Sequence, residues 1–256
     1  MALTDLQRDL CRLIAHNRIA SGERLSRDVD LFHDTDEALE ATWHADRRLL
    51  ERSGYGVRVL RDRTTFVEAE VSLAGESVLL QWVRDSAYRF FPLVEHRDFG
   101  LTLHPFDLAT NKVLALIGRA EPRDWVDVVE CHDRLQPLGY LAWAACGKDP
   151  GFSPASVLEH ASRTTRYSAA EIAQLAFDGA PPDAASLSRR WHEMLRGASE
   201  IIARLPAEHA GRCVLDHSGR LCRAPASELQ ALLAAGSLIF HAGRIRGVLP
   251  RTGDAR

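Results

Sequence analysis

The chain has 256 residues, of which 46% are hydrophobic and 26% are charged, and its formal net charge is −3. These values are typical of a soluble globular protein with a sizeable hydrophobic core. They exclude the overall positive charge that would indicate a nucleic-acid partner. No apolar run approaches the roughly 20 residues of a membrane span, and the first residues lack a charged and apolar leader. We therefore expect a cytoplasmic protein that makes no membrane contact. The five cysteines are scattered without a C-x-x-C pair, which favours a reducing compartment and no zinc cage.

The elements of the first part of the chain predict a small mixed β-sheet with flanking helices. A capping box at Thr4-Asp-Leu-Gln7 begins a helix that we expect to reach about Ile19. A second helix buries Leu39 and Trp43 and stops at Ser53-Gly54. Further strands are expected at 55–60, 65–73 and 77–83, with a turn at Ala74-Gly75-Glu76 between the last two.

The segment Arg24-Leu-Ser-Arg-Asp-Val-Asp-Leu31 predicts a strand between these two helices. Side chains two apart on a strand share a face, so Asp28 and Asp30 should point one way while Val29 and Leu31 turn to a core. Two carboxylates held together form an oxygen site of the kind that binds Mg²⁺, although solvated strand ends also often carry acidic residues.

Two helical patterns separated by Glu121-Pro122 follow the sheet. Lys112 and Arg119 are seven residues apart and lie on nearly one face of the first helix. Asp124 and Asp127 are three apart and should be neighbours on the second. This charged stripe either serves a site or is solvated. The expected helices cover residues 106–120 and 123–135.

Taken in order, these segments resemble the AbiEii/AbiGii-type nucleotidyltransferase toxins of the DNA polymerase β-like superfamily. The resemblance rests on Arg-x-Ser-x-Asp-x-Asp, on the run from His104 to Arg119, and on Arg123-Asp-Trp-Val-Asp127. It covers residues 1 to 140 or so. It implies an α+β fold in which a small mixed β-sheet flanked by helices is followed by a mainly helical C-terminal lobe. The expected domains are a nucleotidyltransferase-like core at 1–147 and a helical region with a small hairpin at 148–256.

The resemblance implies Mg-dependent transfer of a nucleoside monophosphate from an NTP to RNA, such as tRNA, or to a protein. It also implies a toxin restrained by a separate antitoxin. Asp28 and Asp30 would ligate Mg²⁺ or Mn²⁺, and Lys112 would meet the triphosphate. Asp127 would orient Lys112 or the acceptor. Supporting contacts to the nucleotide would come from Ser26, Arg119, Arg123 and Asp124.

The chain departs from the family before the predicted Asp28 strand. Members carry a glycine loop and a short helix there, and the loop's backbone N–H groups cradle phosphates. Only Ala20 to Arg27 separates the first helix from Asp28, with Ser21-Gly22 as a shortened substitute. This departure predicts weak or absent NTP binding. A degenerate family member that acts as a binding protein is therefore the alternative to an enzyme.

A second departure concerns the third carboxylate that such enzymes often place on a neighbouring strand. Gln81 occupies the expected position. Glu68 and Glu70 share a face of the preceding strand and either stand in for the missing acid or form a solvated face. Without a third acid, the site is better suited to one metal ion than to two.

Other patterns receive weaker functional interpretations. His33-Asp34 and His132-Asp133 are similar to the doublet of metal-dependent phosphohydrolases, whose sites are built on several helices. Cys131 is expected in the core rather than as a nucleophile. No G-x-G-x-x-G fingerprint supports a dinucleotide site.

The C-terminal part should be mainly helical, with a hairpin centred on Ser218-Gly219. Its helices are expected at 153–162, at 168–177 and from Ala184 onward, and a last helix and strand span 227–249. Its arginines either contact RNA or form a solvated surface. The candidates are Arg163, Arg166, Arg244, Arg246 and Arg251.

Overall fold

A four-stranded sheet and nine helices account for most of the regular structure in the computed structural model, which describes residues 5–14, 28–96, 100–163, 167–175, 177 and 180–250. The helices in that part of the chain are α1 (Asp5–Ile14), α2 (Asp36–Arg52), α3 (Pro105–Arg119), α4 (Pro122–Arg134), α5 (Leu138–Ala145), α6 (Pro154–Arg163), α7 (Ala169–Ala173), α8 (Ala184–Ile202) and α9 (Ala226–Ala234). The strands are β1 (Asp28–His33), β2 (Gly56–Arg63), β3 (Phe66–Leu73), β4 (Glu76–Arg84), β5 (Tyr88–Arg89), β6 (Val94–His96), β7 (Gly100–Thr102), β8 (Cys213–Asp216), β9 (Leu238–His241) and β10 (Arg244–Ile245).

The main sheet has the order β1-β4-β3-β2. Strand β1 runs parallel to β4, whereas β4–β3 and β3–β2 are antiparallel pairs, so the sheet is mixed. A parallel neighbour requires a crossover connection, and the chain between β1 and β4 contains helix α2 together with the β2–β3 hairpin. The predicted α+β class, with a mixed sheet, flanking helices and a mainly helical C-terminal region, is confirmed.

One face of this sheet is buried. Val29 and Leu31 on β1 lie in register with Leu80 and Trp82 on β4, and all four side chains are buried. The Trp82 indole Nε1–H donates to the buried Asp46 carboxylate of α2 at 2.9 Å, which ties the helix to the sheet. The alternation predicted for β1 is therefore confirmed at its apolar positions, and the opposite face of the sheet is left for polar residues.

The β3–β4 hairpin forms where Ala74-Gly75-Glu76 predicted a turn. Leu73 pairs with Glu76, and the two residues between them, Ala74 and Gly75, have φ of 53° and 88°. Two positive φ values in a two-residue loop match the type I′ turn, whose twist suits antiparallel strands. Gly75 adopts this backbone freely, whereas Ala74 does so with some strain.

The backbone divides into two compact units. The first comprises Met1–Ala87, Leu93–Leu103 and Ala176–Gly179, and the second comprises Tyr88–Pro92, His104–Leu175 and Ala180–Arg256. The first unit contains the main sheet with α1 and α2; the second contains helices α3 to α9. Compact units defined by backbone contacts are not functional domains, so the domain boundary expected after residue 147 stays a prediction.

Helix α5 of the second unit has no counterpart among the predicted elements. All eight of its residues are buried, so it carries no polar stripe to reveal a helical period. It packs closely against α8, since a Cβ added at Gly139 would lie 3.0 Å from the Ala198 Cα. The predicted hairpin at Ser218-Gly219 is only partly right: β8 makes a single bridge across that turn and pairs along its length with β9.

Several expected features lie outside the described residues. They include Thr4 of the capping box, the extension of α1 to Ile19, and the segment from Ala20 to Arg27 with Ser26. Among the helices that the structure describes, none combines the length and apolar character needed to cross a membrane.

Candidate active site

The polar face of the main sheet carries Asp30. Strand register places Asp30 opposite Gln81 on β4, and Gln81 opposite Glu68 on β3. Residues directly opposite one another share a face, so these three form one row across three strands. Asp30 and Gln81 are partly exposed, and Glu68 is buried. These three side chains belong to the site predicted around the Asp28 strand and lie within the residues that the structure describes.

Glu68 has its own partners within this row. The Gln81 amide Nε2–H donates to its carboxylate at 2.9 Å, and the Arg61 guanidinium lies 3.5 Å away. Glu70, two residues along β3, is held in turn by Arg58 at 2.8 Å. Both glutamates are thus neutralised by cations of β2. To serve as the third metal ligand, Glu68 would have to release Arg61 and bind the metal ion instead.

The donor types around Asp30 fit Mg²⁺ better than a softer metal. A carboxylate and the oxygen of a neighbouring side-chain amide are hard ligands, and Mg²⁺ accepts one or two carboxylates with water and phosphate oxygens. Within the described ranges, no three His, Cys, Asp or Glu side chains converge closely enough to hold a metal. The backbone of Asp28 pairs with Leu79, and its side chain lies outside the described residues.

A second group of predicted residues meets between α3 and α4. The Lys112 ammonium lies 2.8 Å from the Asp127 carboxylate, with 20% and 6% of the respective side chains exposed. The structure therefore brings Lys112 together with the acid predicted to orient it. Cys131 follows Asp127 by one helical turn, and burial, followed by the charge of Asp127, raises the pKa of its thiol to about 12. A thiol so rarely ionised is a poor nucleophile at neutral pH, as expected, although Cys131 is partly exposed rather than in the core.

Arg119 and Asp124 form another pair at the junction of these two helices. Arg119 donates through Nε and Nη2 to the two oxygens of Asp124, each at 2.8 Å. The Asp124 side chain is fully buried. Such a bidentate pair fixes the turn from α3 to α4. Arg123 lies next to Asp124 in sequence, and it contacts Glu121 at 2.6 Å. The nucleotide contacts predicted for Arg119, Arg123 and Asp124 stay predictions.

A buried ion pair inside the same motif has no counterpart in the sequence prediction. Asp107 is fully buried and accepts the backbone N–H groups of Phe90 at 2.8 Å and Phe91 at 3.0 Å. The Lys148 ammonium lies 2.9 Å from its carboxylate. Asp107, within the His104–Arg119 run, is therefore a structural anchor. Lys148 lies 41 residues away, too far for any local spacing to suggest the pair.

The predicted site residues thus belong to both units. Asp28 and Asp30 are in the first unit, and Lys112, Arg119, Arg123, Asp124 and Asp127 are in the second. The structure pairs Lys112 with Asp127 and Arg119 with Asp124. Ser26 lies outside the described residues.

The histidine doublets are part of the structural framework. His33 ends β1 and is buried. The His132 Nδ1 accepts the backbone N–H of Leu138 at 3.0 Å and so links α4 to α5. Burial, followed by the charge of Arg190, lowers the pKa of His132 to about 4. His132 is therefore neutral and serves as an acceptor at physiological pH.

The C-terminal arginines considered as RNA contacts have varied surroundings. Arg163 pairs with Glu159 on α6, while Arg244 is exposed on β10. Arg246 follows with a positive φ of 64°. Arg166 and Arg251 lie outside the described residues. None of these arrangements tests the expected RNA contact, which stays a prediction.

Comparisons with known proteins give matches among solved structures. No protein-family profile matches the chain. No curated protein matches it either. It is similar to JHP933 from Helicobacter pylori, with 12% identity and a TM-score of 0.46 over 79% of this chain and 96% of that one. It is also similar to MenT4, a nucleotidyltransferase toxin from Mycobacterium tuberculosis, with 14% identity and a TM-score of 0.47 over 79% and 83% of the two chains. Membership of the AbiEii/AbiGii-type family stays a prediction.

Proposed function

We propose that the chain is a Mg-dependent nucleotidyltransferase that moves a nucleoside monophosphate from an NTP to RNA, such as tRNA, or to a protein. The observation that carries this proposal is the polar row on the sheet, with Asp30 beside Gln81 and Glu68. A rigid strand is a good support for a metal ligand because its register fixes the spacing of neighbouring oxygens. The order of motifs in the sequence supplies the reaction class.

In this proposal, Asp28 and Asp30 hold one Mg²⁺, or Mn²⁺ in its place. The bound ion supplies charge neutralisation for the phosphates and orients them. The acceptor hydroxyl oxygen bonds to the α-phosphorus, the bond from that phosphorus to the β-bridging oxygen breaks, pyrophosphate leaves, and the hydroxyl proton passes to solvent. Lys112 binds the triphosphate, and Asp127 holds the ammonium in position from 2.8 Å. Ser26, Arg119, Arg123 and Asp124 would add contacts to the nucleotide or support those that do.

A toxin restrained by an antitoxin protein is the biological role that fits this proposal. It derives from the sequence resemblance, which is an analogy of fold and motif rather than a property of the site. Co-purification of the chain with the product of a neighbouring gene, followed by loss of transfer activity in the complex, would support the role. Full activity in every such complex would contradict it.

The alternative is a degenerate member that binds a partner without catalysis. The specific observation in its favour is that Glu68, the candidate third metal ligand, is already paired with Arg61 and Gln81. The short segment before Asp28 points the same way. Insertion of a family-like glycine loop there should raise NTP affinity if the short segment is the defect, and an unchanged affinity would contradict that explanation.

The direct test incubates the protein with each labelled NTP, Mg²⁺ and total tRNA. The Asp28→Asn, Asp30→Asn variant should lose transfer, because an amide is a weaker Mg²⁺ ligand than a carboxylate. Asp62→Asn is the matched control, since Asp62 lies on β2 of the same sheet and is exposed. Equal background from the wild type and the double variant would sink the catalytic proposal.

A further inference from the structure

A cavity of about 650 Å³ lies within the second unit, and the predicted motifs contribute to its lining only through His104 and Pro105, the first residues of the His104–Arg119 run. Its lining comes from the end of α4, the turn after β8, the start of α3, and Phe91 between β5 and β6. This volume lies within the range of small-molecule and cofactor sites, about 300–1,000 Å³. The part of the lining that bears on a ligand is Phe91, His104, Arg134, Asp216, Arg220 and Arg223.

The lining is basic. Arg134, Arg220 and Arg223 face one acidic residue, Asp216. That acid is engaged in its own turn, where it accepts hydrogen bonds from the Ser218 hydroxyl at 2.6 Å and the Arg220 backbone N–H at 3.1 Å. The Ser218 hydroxyl bond, the largest cause, lowers the pKa of Asp216, so it stays charged and holds the turn. Arg220 lies 3.3 Å from the Asp216 carboxylate and Arg134 lies 2.7 Å from that of Glu130, so the three arginines exceed these two acids by one positive charge, which favours an anionic ligand.

Arg223 is held in place without losing its charge. Its Nη1 donates to the Leu135 carbonyl at 2.8 Å and its Nη2 donates to the Asp133 carbonyl at 2.7 Å. Both acceptors are neutral carbonyls, so these bonds orient the guanidinium but do not cancel its positive charge. Arg220 also lines the cavity; its side chain is 80% exposed although its Nε lies 3.3 Å from the Asp216 carboxylate. Preorganised and exposed guanidinium groups together are well suited to phosphate oxygens.

Another part of the cavity lining is aromatic. The Phe91 and His104 rings stack with centroids 4.2 Å apart and planes inclined by 28°. The His104 Nδ1 accepts the Phe106 N–H at 3.2 Å, so in the neutral ring the proton sits on Nε2 as a donor. Leu215 and Leu221 extend this apolar part of the lining. A phosphate ion would leave the apolar surface unused, whereas a planar base would cover it.

We propose that this cavity binds a nucleotide, whose phosphate meets Arg134, Arg220 and Arg223 and whose base meets the Phe91–His104 pair. Two sources supply this chemistry: a free nucleotide, or the unstacked end of a single-stranded RNA. We favour the RNA end, because it is the acceptor that the proposed function needs. This preference rests on the proposed function, whereas nucleotide binding at the cavity does not. Binding at the cavity requires neither Asp28 nor Asp30.

The test measures binding of a fluorescent single-stranded RNA to the full chain by anisotropy, in EDTA and without NTP. Arg223→Gln should weaken binding about tenfold, because a charge-assisted contact to phosphate is lost. The slope of log affinity against log salt should also fall in magnitude by about one. Arg204→Gln is the matched control, since its guanidinium also donates to a backbone carbonyl, that of Glu200 at 2.9 Å, and lies elsewhere.

A second pair of variants guards against misfolding of Arg223→Gln. Arg134 is exposed and pairs with Glu130 one turn away, as Arg47 pairs with Glu51 on α2. Arg134→Gln should therefore weaken RNA binding several-fold, while Arg47→Gln should not. Equal affinities for each variant and its control would overturn the proposal, and so would equal binding of double-stranded RNA.

Competition with AMP identifies the source of the nucleotide. If AMP displaces the RNA at similar concentrations, the site takes free nucleotides. If AMP competes only at a large excess, the site takes an RNA end. Asp30→Asn should bind RNA normally while losing transfer. If the wild type binds RNA but shows no transfer activity, the proposed function is refuted and the cavity proposal still stands.

Discussion

Removal of one charge from the Lys112–Asp127 pair should destabilise the protein, and removal of both should restore stability but not activity. At 2.8 Å, the Coulomb attraction of two unit charges is about 6 kcal/mol at an effective dielectric constant of about 20. Desolvation offsets much of this attraction. Breaking a fully buried pair costs about 3–5 kcal/mol, and the 20% exposure of Lys112 lowers our expectation to about 2–3 kcal/mol for Asp127→Asn. The Lys112→Met, Asp127→Asn double variant should lie within about 1 kcal/mol of the wild type.

The assay is urea unfolding followed by tryptophan fluorescence and circular dichroism, with transfer activity measured on the same preparations. The exposed Arg47–Glu51 pair is the control, since charge removal there should cost about 0.5 kcal/mol or less. If Lys112 binds triphosphate, the double variant is as stable as the wild type and as inactive as Asp30→Asn. Recovery of transfer in the double variant would refute the role of Lys112. A double variant as unstable as the sum of the single variants would refute the coupling.

Three further predictions concern local structure. The free energy of unfolding should fall as pH drops from 6.5 to 4, because His132 takes up a proton at a higher pH in the unfolded chain than in the folded one. The His132→Gln variant keeps an acceptor for the Leu138 N–H and should flatten this pH dependence in urea titrations. An unaltered pH dependence in that variant would count against the prediction. Cys131, with its pKa raised to about 12, should resist iodoacetamide at pH 8, where about one thiol in ten thousand is ionised, and rapid labelling by mass spectrometry would contradict this. Ala74→Asn should stabilise the turn before Gly75 by about 0.5–1 kcal/mol, and a lower midpoint of urea unfolding would be the opposite result.

Elements with a clear local period were predictable from the sequence. Strand β1 alternates apolar and acidic residues, and its apolar residues are buried as expected. Helix α2 ends at Arg52, before the Ser53-Gly54 signal. The charged positions Lys112 and Asp127 also meet as the motif suggested. For β1 and α2 the information lies within a few neighbouring residues, where periodicity and capping rules apply, whereas the contact of Lys112 with Asp127 joins two helices and was expected from the family resemblance.

Features that depend on distant residues were not predictable. Helix α5 is buried on every side and therefore shows no amphipathic pattern. Asp107 meets Lys148 across 41 residues, and Arg223 reaches the end of α4 across 88 or more. Strand β8 pairs with β9 rather than along the nearer turn, because long-range pairing outweighs a local hairpin signal. Such contacts are set by packing, which a single sequence does not display.

The position of the label after reaction tests the central claim most directly. The protein is incubated with Mg²⁺, tRNA and an NTP labelled at either the α- or the γ-phosphate. Nucleotidyl transfer places the α-label in the RNA and the γ-label in pyrophosphate, and both signals should disappear in Asp30→Asn. Transfer of the γ-label to the acceptor, or identical signals from the wild type and Asp30→Asn, would contradict the account.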